Sequence, residues 1–152
     1  MASEPVVREI VDGDRETLTA IDRDARGSLD QQRGGAAWLA VHPSLDRRGV
    51  PTARAPLGWA ALIDGVTVGF LLLDVLEVAG RGRVAMVDRV YVLEPARELG
   101  CGDALLAAAE AWARASGCVA IEGVALPGDR ETKNLYERAG VVARSIIVSK
   151  PL

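Results

Sequence analysis

The chain has 152 residues, of which 49% are hydrophobic, 26% charged and only 4% aromatic. This size and balance indicate a single globular domain over residues 1–152, with a core of Val, Leu, Ile and Ala. The net charge of −3 argues against nucleic acid as the main partner, because a phosphate-binding surface normally needs a basic excess.

Membrane and metal classes are also disfavoured. No apolar stretch approaches the length of a membrane span, and the first residues lack the basic and apolar regions of a signal peptide. The two cysteines, Cys101 and Cys118, and the single histidine, His42, form no ligand cluster in the sequence. We therefore expect a cytoplasmic protein with two free thiols and no metal site.

The first elements are a strand at residues 5–10 and a helix after it. Asp12 or Asp14 can cap that helix, since a short carboxylate accepts the free amide hydrogens of a helix start. Its apolar face is marked by residues at helical spacing, namely Leu18, Ile21 and Ala25. A shorter second helix is predicted at residues 29–39.

Residues 43–56 contain three prolines and several arginines, a composition that predicts an exposed loop. We interpret it as a solvated connection, with a loop that contacts substrate as the alternative.

Three strands follow, at residues 59–63, 66–78 and 84–93. Asp64-Gly65 is a favoured two-residue hairpin turn, and the glycine-rich residues 79–83 form the next turn. Strands joined by such short turns are antiparallel neighbours, so this region predicts a meander.

The pattern then changes to alternating helices and strands. We predict a helix at 102–116, a strand buried on both faces at 118–125, a helix at 130–139 and a final strand at 141–149. Gly117 and Gly140 suit the left-handed position just past a helix end. The fold class is therefore α/β (α+β), with a mixed central sheet flanked by helices.

The most informative segment joins the third meander strand to the following helix through Arg97-x-x-Gly100-x-Gly102. Glycines allow close approach of an anion to the backbone, and the free amides and dipole of a helix start favour negative charge. The Gly-Lys-Ser/Thr ending of nucleotide hydrolases is absent, and a loop after a meander does not fit a dinucleotide fingerprint. A pyrophosphate fits this geometry.

This segment resembles the coenzyme A signature of the GNAT superfamily of N-acetyltransferases. A second GNAT signature is similar to residues 129–141, where Leu135, Tyr136, Glu137 and Gly140 match. The resemblance covers roughly residues 58–141 by element order. It implies the GNAT fold, with an antiparallel N-terminal meander inside the mixed sheet.

The resemblance also implies that acetyl-CoA is the acyl donor. Its implied binding residues are Val90, Tyr91 and Val92 for the pantetheine arm, and Arg97, Glu98, Leu99, Gly100, Cys101, Gly102, Asp103 and Asp129 around the pyrophosphate. Glu98 and Asp103 depart from the family pattern by adding carboxylates near a diphosphate, which should weaken its binding.

Acyl transfer to an amine needs a base, an oxyanion donor and a proton for the leaving thiolate. The resemblance implies Asp88 as the base, Tyr136 as the general acid and the Val92 amide as the oxyanion donor. Asp88 could instead pair with Arg89, with Arg83 or with solvent, and Tyr136 could be a buried tyrosine satisfied by backbone. Glu122 is a second candidate base.

The function implied is transfer of an acetyl group from acetyl-CoA to a primary amine of an unidentified small molecule or peptide. The alternative is a non-catalytic module of the same fold that binds a CoA ester. An unrelated nucleotide-binding domain is a third possibility, and a homodimer is an expectation from the family.

Overall fold

The computed structural model describes residues 3–48 and 57–152. Short 3-10 turns lie at Asp12–Asp14 and Glu94–Leu99. In these described ranges the strands are β1 (Val6–Glu9), β2 (Leu57–Ile63), β3 (Val66–Val78), β4 (Gly82–Val92) and β5 (Ala120–Glu122). The helices are α1 (Arg15–Leu29), α2 (Gly35–Val41), α3 (Leu45–Arg48), α4 (Cys101–Ala115) and α5 (Arg130–Arg138).

The strands form one sheet in the order β1-β2-β3-β4-β5. The first four pair antiparallel, whereas β5 pairs parallel with β4. At the β2–β3 turn, Asp64 and Gly65 both have positive φ, 48° and 79°, as a type I′ hairpin turn requires. The predicted mixed sheet with an antiparallel meander is therefore confirmed.

Strand β3 is covered on both faces. Leu71 and Leu73 point into one core, which α4 covers, while Phe70 and Leu72 point into the other, which α1 covers. All four side chains are fully buried. This two-sided burial explains why the strand has a continuous apolar run instead of alternation.

The second helix was predicted at the wrong place. Helix α1 continues to Leu29, and α2 begins only at Gly35. A turn closed by a hydrogen bond from Gly35 N to Gln32 O separates them, and Gly34 has a φ of 79° that favours glycine. The predicted loop at 43–56 contains α3, whose Leu45 is buried, and residues 49–56 lie outside the described part.

The C-terminal predictions were also partly wrong. Residues 141–152 form no strand and are mostly exposed. Strand β5 has only three residues, each half-buried, instead of spanning 118–125 with both faces covered. Its pairing with β4 stops at Glu122 because the two strands diverge from that point.

An ion pair between the buried Asp14 and the partly exposed Arg8 fixes β1 to the start of α1. The carboxylate of Asp14 accepts hydrogen bonds from Arg8 Nη1 at 2.7 Å, Arg8 Nη2 at 2.9 Å and Val11 N at 2.9 Å. Asp14 occupies the N-cap position of α1, yet its side chain bonds these groups and caps no amide of the helix. The hydrogen bond from Arg8 holds the pKa of Asp14 below its usual range.

We predict that Asp14→Asn lowers the free energy of unfolding by about 1–3 kcal/mol at pH 7, because it weakens the charge-assisted hydrogen bonds of a buried carboxylate. A lowered folded-state pKa stabilises the protein above the unfolded-state value of about 3.9, and this stabilisation is lost as the pH falls through the folded-state value. The difference in the free energy of unfolding between wild type and Asp14→Asn, measured by urea titration, should therefore shrink as the pH falls from 7 to 2. Asp12→Asn, at an exposed position of the same turn, is the control; an equal loss there would contradict the assignment.

Candidate functional site

Strand β4 carries a bulge at Asp88. Leu72 of β3 lies opposite Arg89, and the next residue, Leu73, lies opposite Val87, so Asp88 is the extra residue. A bulge twists the strand and changes which edge its later peptide groups face. The candidate base therefore lies at the one irregular point of this strand's pairing with β3.

Beyond the bulge, β4 leaves β5. In the described residues their pairing ends at Met86 and Glu122, so the last six residues of β4 border a gap on that side. Leu93 N donates to Val68 O of β3 at 2.8 Å, and alternation along the strand directs the peptide groups of Val92 and Val90 into the gap. Peptide groups in such a gap can pair with an extended ligand.

The glycine loop leads from this strand into α4. Gly100 has a φ of 83° and accepts the first helical hydrogen bond, from Ala104 N at 3.0 Å. The amides of Cys101, Gly102 and Asp103 precede that bond, so the helix itself does not use them. The helix start thus offers the anion-binding amides that the sequence predicts.

One cavity of about 820 Å³ joins the gap to the helix start. Most of the predicted site residues line it, as do residues of α1 and α5. The predicted residues among its lining are Asp88, Val90, Tyr91, Val92, Arg97, Glu98, Gly100, Gly102, Asp103, Asp129 and Tyr136.

Two predicted cofactor residues, Leu99 and Cys101, do not line the cavity. Cys101 is fully buried in the core beneath α4, and burial raises the pKa of its thiol. Leu99 is exposed outside the cavity. Only the peptide groups of these two residues remain available to a ligand at this loop.

Tyr136 lies on α5 and is 7% exposed. Its hydroxyl is packed so closely against Gly123 that a Cβ at that position would overlap it. Burial, with a smaller contribution from the negative charge of Asp129, raises the pKa of Tyr136. The phenol is therefore protonated at neutral pH and can donate a proton or a hydrogen bond.

Asp88 belongs to a charged cluster. Arg89 Nε donates to Asp88 Oδ2 at 2.6 Å, and Arg89 Nη1 donates to Asp22 Oδ1 at 2.9 Å. The third arm of the guanidinium donates to Pro43 O at 2.9 Å, and Asp22 Oδ2 accepts from Leu45 N at 3.0 Å. The cluster ties the bulge of β4 to α1 and to the start of α3.

Asp88 pairs with Arg89, which is one of the alternatives that the sequence left open, whereas Asp22 was not predicted as a site residue. Asp22 is 2% exposed and Arg89 is 7% exposed, and both border the cavity. The available signal was the position of Asp22 four residues after Leu18, on the apolar face of α1. A carboxylate on such a face needs a partner, because burying an unpaired charge is costly.

The other acidic candidate lies elsewhere. Glu122 accepts hydrogen bonds from both terminal nitrogens of Arg81, at 3.3 and 3.1 Å, and does not border the cavity.

Tyr91 donates a hydrogen bond to Asp24 at 2.6 Å, and burial together with this bond raises the pKa of Tyr91 to about 12. Tyr91 thus connects β4 to α1 beside the charged cluster.

The described residues show neither a metal-binding cluster nor a membrane-spanning helix. Among the described residues, no group of three or more His, Cys, Asp or Glu side chains could hold a metal ion. Within those ranges, no helix is both long and apolar enough to span a membrane.

The model of the Acetyltransferase (GNAT) family matches residues 51–141. This match covers more than half of the chain and includes the gap, the glycine loop and α5. The chain therefore belongs to the GNAT family of acetyltransferases, which confirms the family predicted from its two signatures.

Individual relatives agree with this assignment. The chain is 43% identical over 58 residues to aminoglycoside N(6')-acetyltransferase type 1 of Klebsiella aerogenes, a match over 36% of this chain and 38% of that protein. The chain thus matches well under half the length of this curated relative.

Solved structures show the same fold over nearly whole chains. Aminoglycoside N-acetyltransferase AAC(6')-Iy in complex with CoA has a TM-score of 0.74 at 18% identity, covering 100% of this chain and 97% of that one. A ribosomal-protein-alanine N-acetyltransferase from Brucella melitensis biovar Abortus 2308 has a TM-score of 0.66 at 20% identity, covering 98% of each chain.

We predict that Gly123→Ala displaces Tyr136 and lowers the free energy of unfolding by about 1–3 kcal/mol, as overpacking does. The control is Gly27→Ala in α1, where a Cβ would meet no atom within 4 Å. That change should stabilise the protein by about 0.5–1 kcal/mol, because alanine is the better helix former. Urea titration measures the free energy of unfolding of both variants. A Gly123→Ala protein as stable as wild type would refute the close contact between Gly123 and the Tyr136 hydroxyl.

Proposed function

We propose that this protein transfers an acetyl group from acetyl-CoA directly to a primary amine. The observation that carries the proposal is the continuity of one cavity. It runs from the free amides at the start of α4, along the open edge of β4, to the carboxylate of Asp88.

The residues present fit acetyl-CoA. The diphosphate would lie at the amides of Cys101, Gly102 and Asp103, where the helix start favours an anion. The pantetheine arm would pair with the peptide groups of Val90 along the gap, because Val92 O already accepts a hydrogen bond from Arg97. When bound, acetyl-CoA supplies the activated thioester carbonyl.

Three groups of the chain would serve the chemistry. Asp88 would accept a proton from the acceptor ammonium, directly or through a water, because an amine attacks only when neutral. The Val92 amide would donate to the oxygen that becomes negative during transfer. Tyr136, protonated at neutral pH, would supply the proton that the leaving thiolate takes up.

The cavity presents carboxylates to an acceptor. Asp22 and Asp88 both border it, and both accept hydrogen bonds from Arg89. A carboxylate can also accept a hydrogen bond from an ammonium group. Since relatives are aminoglycoside acetyltransferases and a ribosomal-protein-alanine acetyltransferase, an aminoglycoside amine and a peptide with N-terminal alanine are the first acceptors to compare.

Ligand-dependent melting separates this proposal from the nucleotide alternative. At about 100 times its dissociation constant, a ligand adds roughly 2.7 kcal/mol of stability. We expect acetyl-CoA and CoA to raise the melting temperature and ATP to have a smaller effect. Stabilisation by ATP alone would contradict the proposal.

We predict that Tyr136→Phe and Asp88→Asn each lower kcat by about 100-fold or more, the usual contribution of a positioned acid or base. Release of CoA with an amine panel measures the rate, and calorimetry measures the CoA dissociation constant. For Tyr136→Phe that constant should stay within about twofold, since only a hydroxyl is removed. An unchanged rate would exclude that residue from the chemistry, and binding without turnover on any amine would support a CoA-ester-binding module instead.

We also propose that the protein forms a homodimer through its C-terminal segment, residues 141–152. Ile146, Ile147 and Val148 are 87%, 91% and 88% exposed, and the segment forms no regular structure. In the described sheet, β5 is an edge strand with an open outer side. A strand from a second copy would complete that edge and bury these side chains.

We predict that Ile147→Lys shifts a dimer towards monomer, because an added charge opposes burial of the segment. Light scattering over a series of protein concentrations measures the oligomeric state. Val66→Lys, at an exposed position in the β2–β3 hairpin, is the matched control and should leave the mass unchanged. A wild-type protein that is monomeric at all concentrations would refute the dimer.

A further inference from the structure

Two ion pairs cross the phosphate end of the cavity. Arg97 Nε donates to Val92 O at 2.9 Å and also lies 3.1 Å from Glu131 Oε2, and Arg138 Nε donates to Asp103 Oδ1 at 3.0 Å. In each pair one partner belongs to the glycine loop or the first turn of α4, and the other belongs to α5. We call these two pairs the latch.

The latch occupies the position that a diphosphate needs. All four of its side chains border the same cavity as Gly100, next to the free amides of the helix start. The carboxylates are mostly exposed, at 65% for Glu131 and 51% for Asp103. A diphosphate arriving here meets two arginines that already hold carboxylates.

A carboxylate and a phosphate differ in how strongly they bind an arginine side chain. An exposed ion pair between side chains contributes little, because water screens it and two long side chains lose freedom. The diphosphate of CoA carries two negative charges in one rigid group and offers several oxygens to the planar guanidinium. Exchange of a carboxylate for a phosphate is therefore favourable, although each carboxylate still competes.

We propose that Arg97 and Arg138 exchange Glu131 and Asp103 for phosphate oxygens when CoA binds, which makes Arg138 a second phosphate-binding arginine. Without CoA, Asp103 holds Arg138, whereas Arg97 is held by Val92 O and pairs with Glu131. Glu131 and Asp103 thereby set the CoA affinity by competition. This inference rests on the proposed binding of CoA and goes beyond it by assigning opposite effects to the acids and the arginines.

Calorimetric titration of CoA into the full chain at low salt tests the exchange. Asp103→Asn and Glu131→Gln should each tighten CoA binding by about two- to fivefold, the size of an exposed ion pair. Arg138→Gln should weaken it by about tenfold, because a charge-assisted hydrogen bond to phosphate is lost. Melting without ligand checks that every variant is folded.

A third acid variant distinguishes the exchange of arginine partners from general repulsion between carboxylates and the diphosphate. Glu98 is exposed and borders the same cavity, and it forms no ion pair in the part of the chain that the structure describes. Glu98→Gln removes one negative charge without releasing an arginine, so it should tighten binding less than Asp103→Asn does. An equal fall in the CoA dissociation constant in both variants would overturn the proposed exchange.

A double variant tests the pairing itself. In an Arg138→Gln background, Asp103→Asn should have no further effect on the dissociation constant, because the arginine for which Asp103 competes is gone. Additive effects, or weaker binding in either acid variant alone, would overturn the inference while leaving CoA binding established. Failure of wild type and of both acid variants to bind CoA would overturn the inference together with the proposed function.

Discussion

The site depends on the parting of β4 from β5. Over three residues the strands pair parallel, and beyond Met86 they separate. The bulge at Asp88 lies at this point and sets which peptide groups face the gap afterwards. A regular sheet would hydrogen-bond those groups to a neighbouring strand and leave no cavity between β4 and α5.

Two glycines shape the site in different ways. Gly100 is needed for its left-handed conformation, since a Cβ there would meet no atom within 4 Å. Gly123 is needed for its size, because a side chain there would collide with Tyr136.

The elements that sequence analysis predicted well depend on local chemistry. The Asp64-Gly65 turn needs only two residues that tolerate positive φ, and the glycine loop needs only the strand before it and the helix after it. The strand and the glycine loop account for one wall of the cavity, and the rest of the lining comes mainly from α1, from α5 and from the residues just before α5. The roles of Asp88 and Tyr136 were inferred from the resemblance, and the structure adds their surroundings.

The features that sequence analysis missed depend on distant contacts. Asp22 and Arg89 are 67 residues apart, so the sequence can show that Asp22 needs a partner but not which residue supplies it until α1 packs on β4. The apolar pattern at 141–149 favours a strand, but no strand in the described sheet pairs with it. Local pattern predicts what a segment can form, whereas the available neighbour decides what it does form.

The buried cluster has a consequence for how substrate range can change over evolution. Arg26, Ser28 and Gln32 border the cavity from α1 and the turn after it, and each donates a side-chain hydrogen bond to a backbone carbonyl. None of them belongs to the sheet, so substitution there can reshape that side of the cavity while the sheet stays intact. Loss of Asp22 would instead leave one arm of the buried Arg89 guanidinium without its charged partner, which is costly. We therefore expect changes in this cavity to arise around a constant Asp22–Arg89 pair.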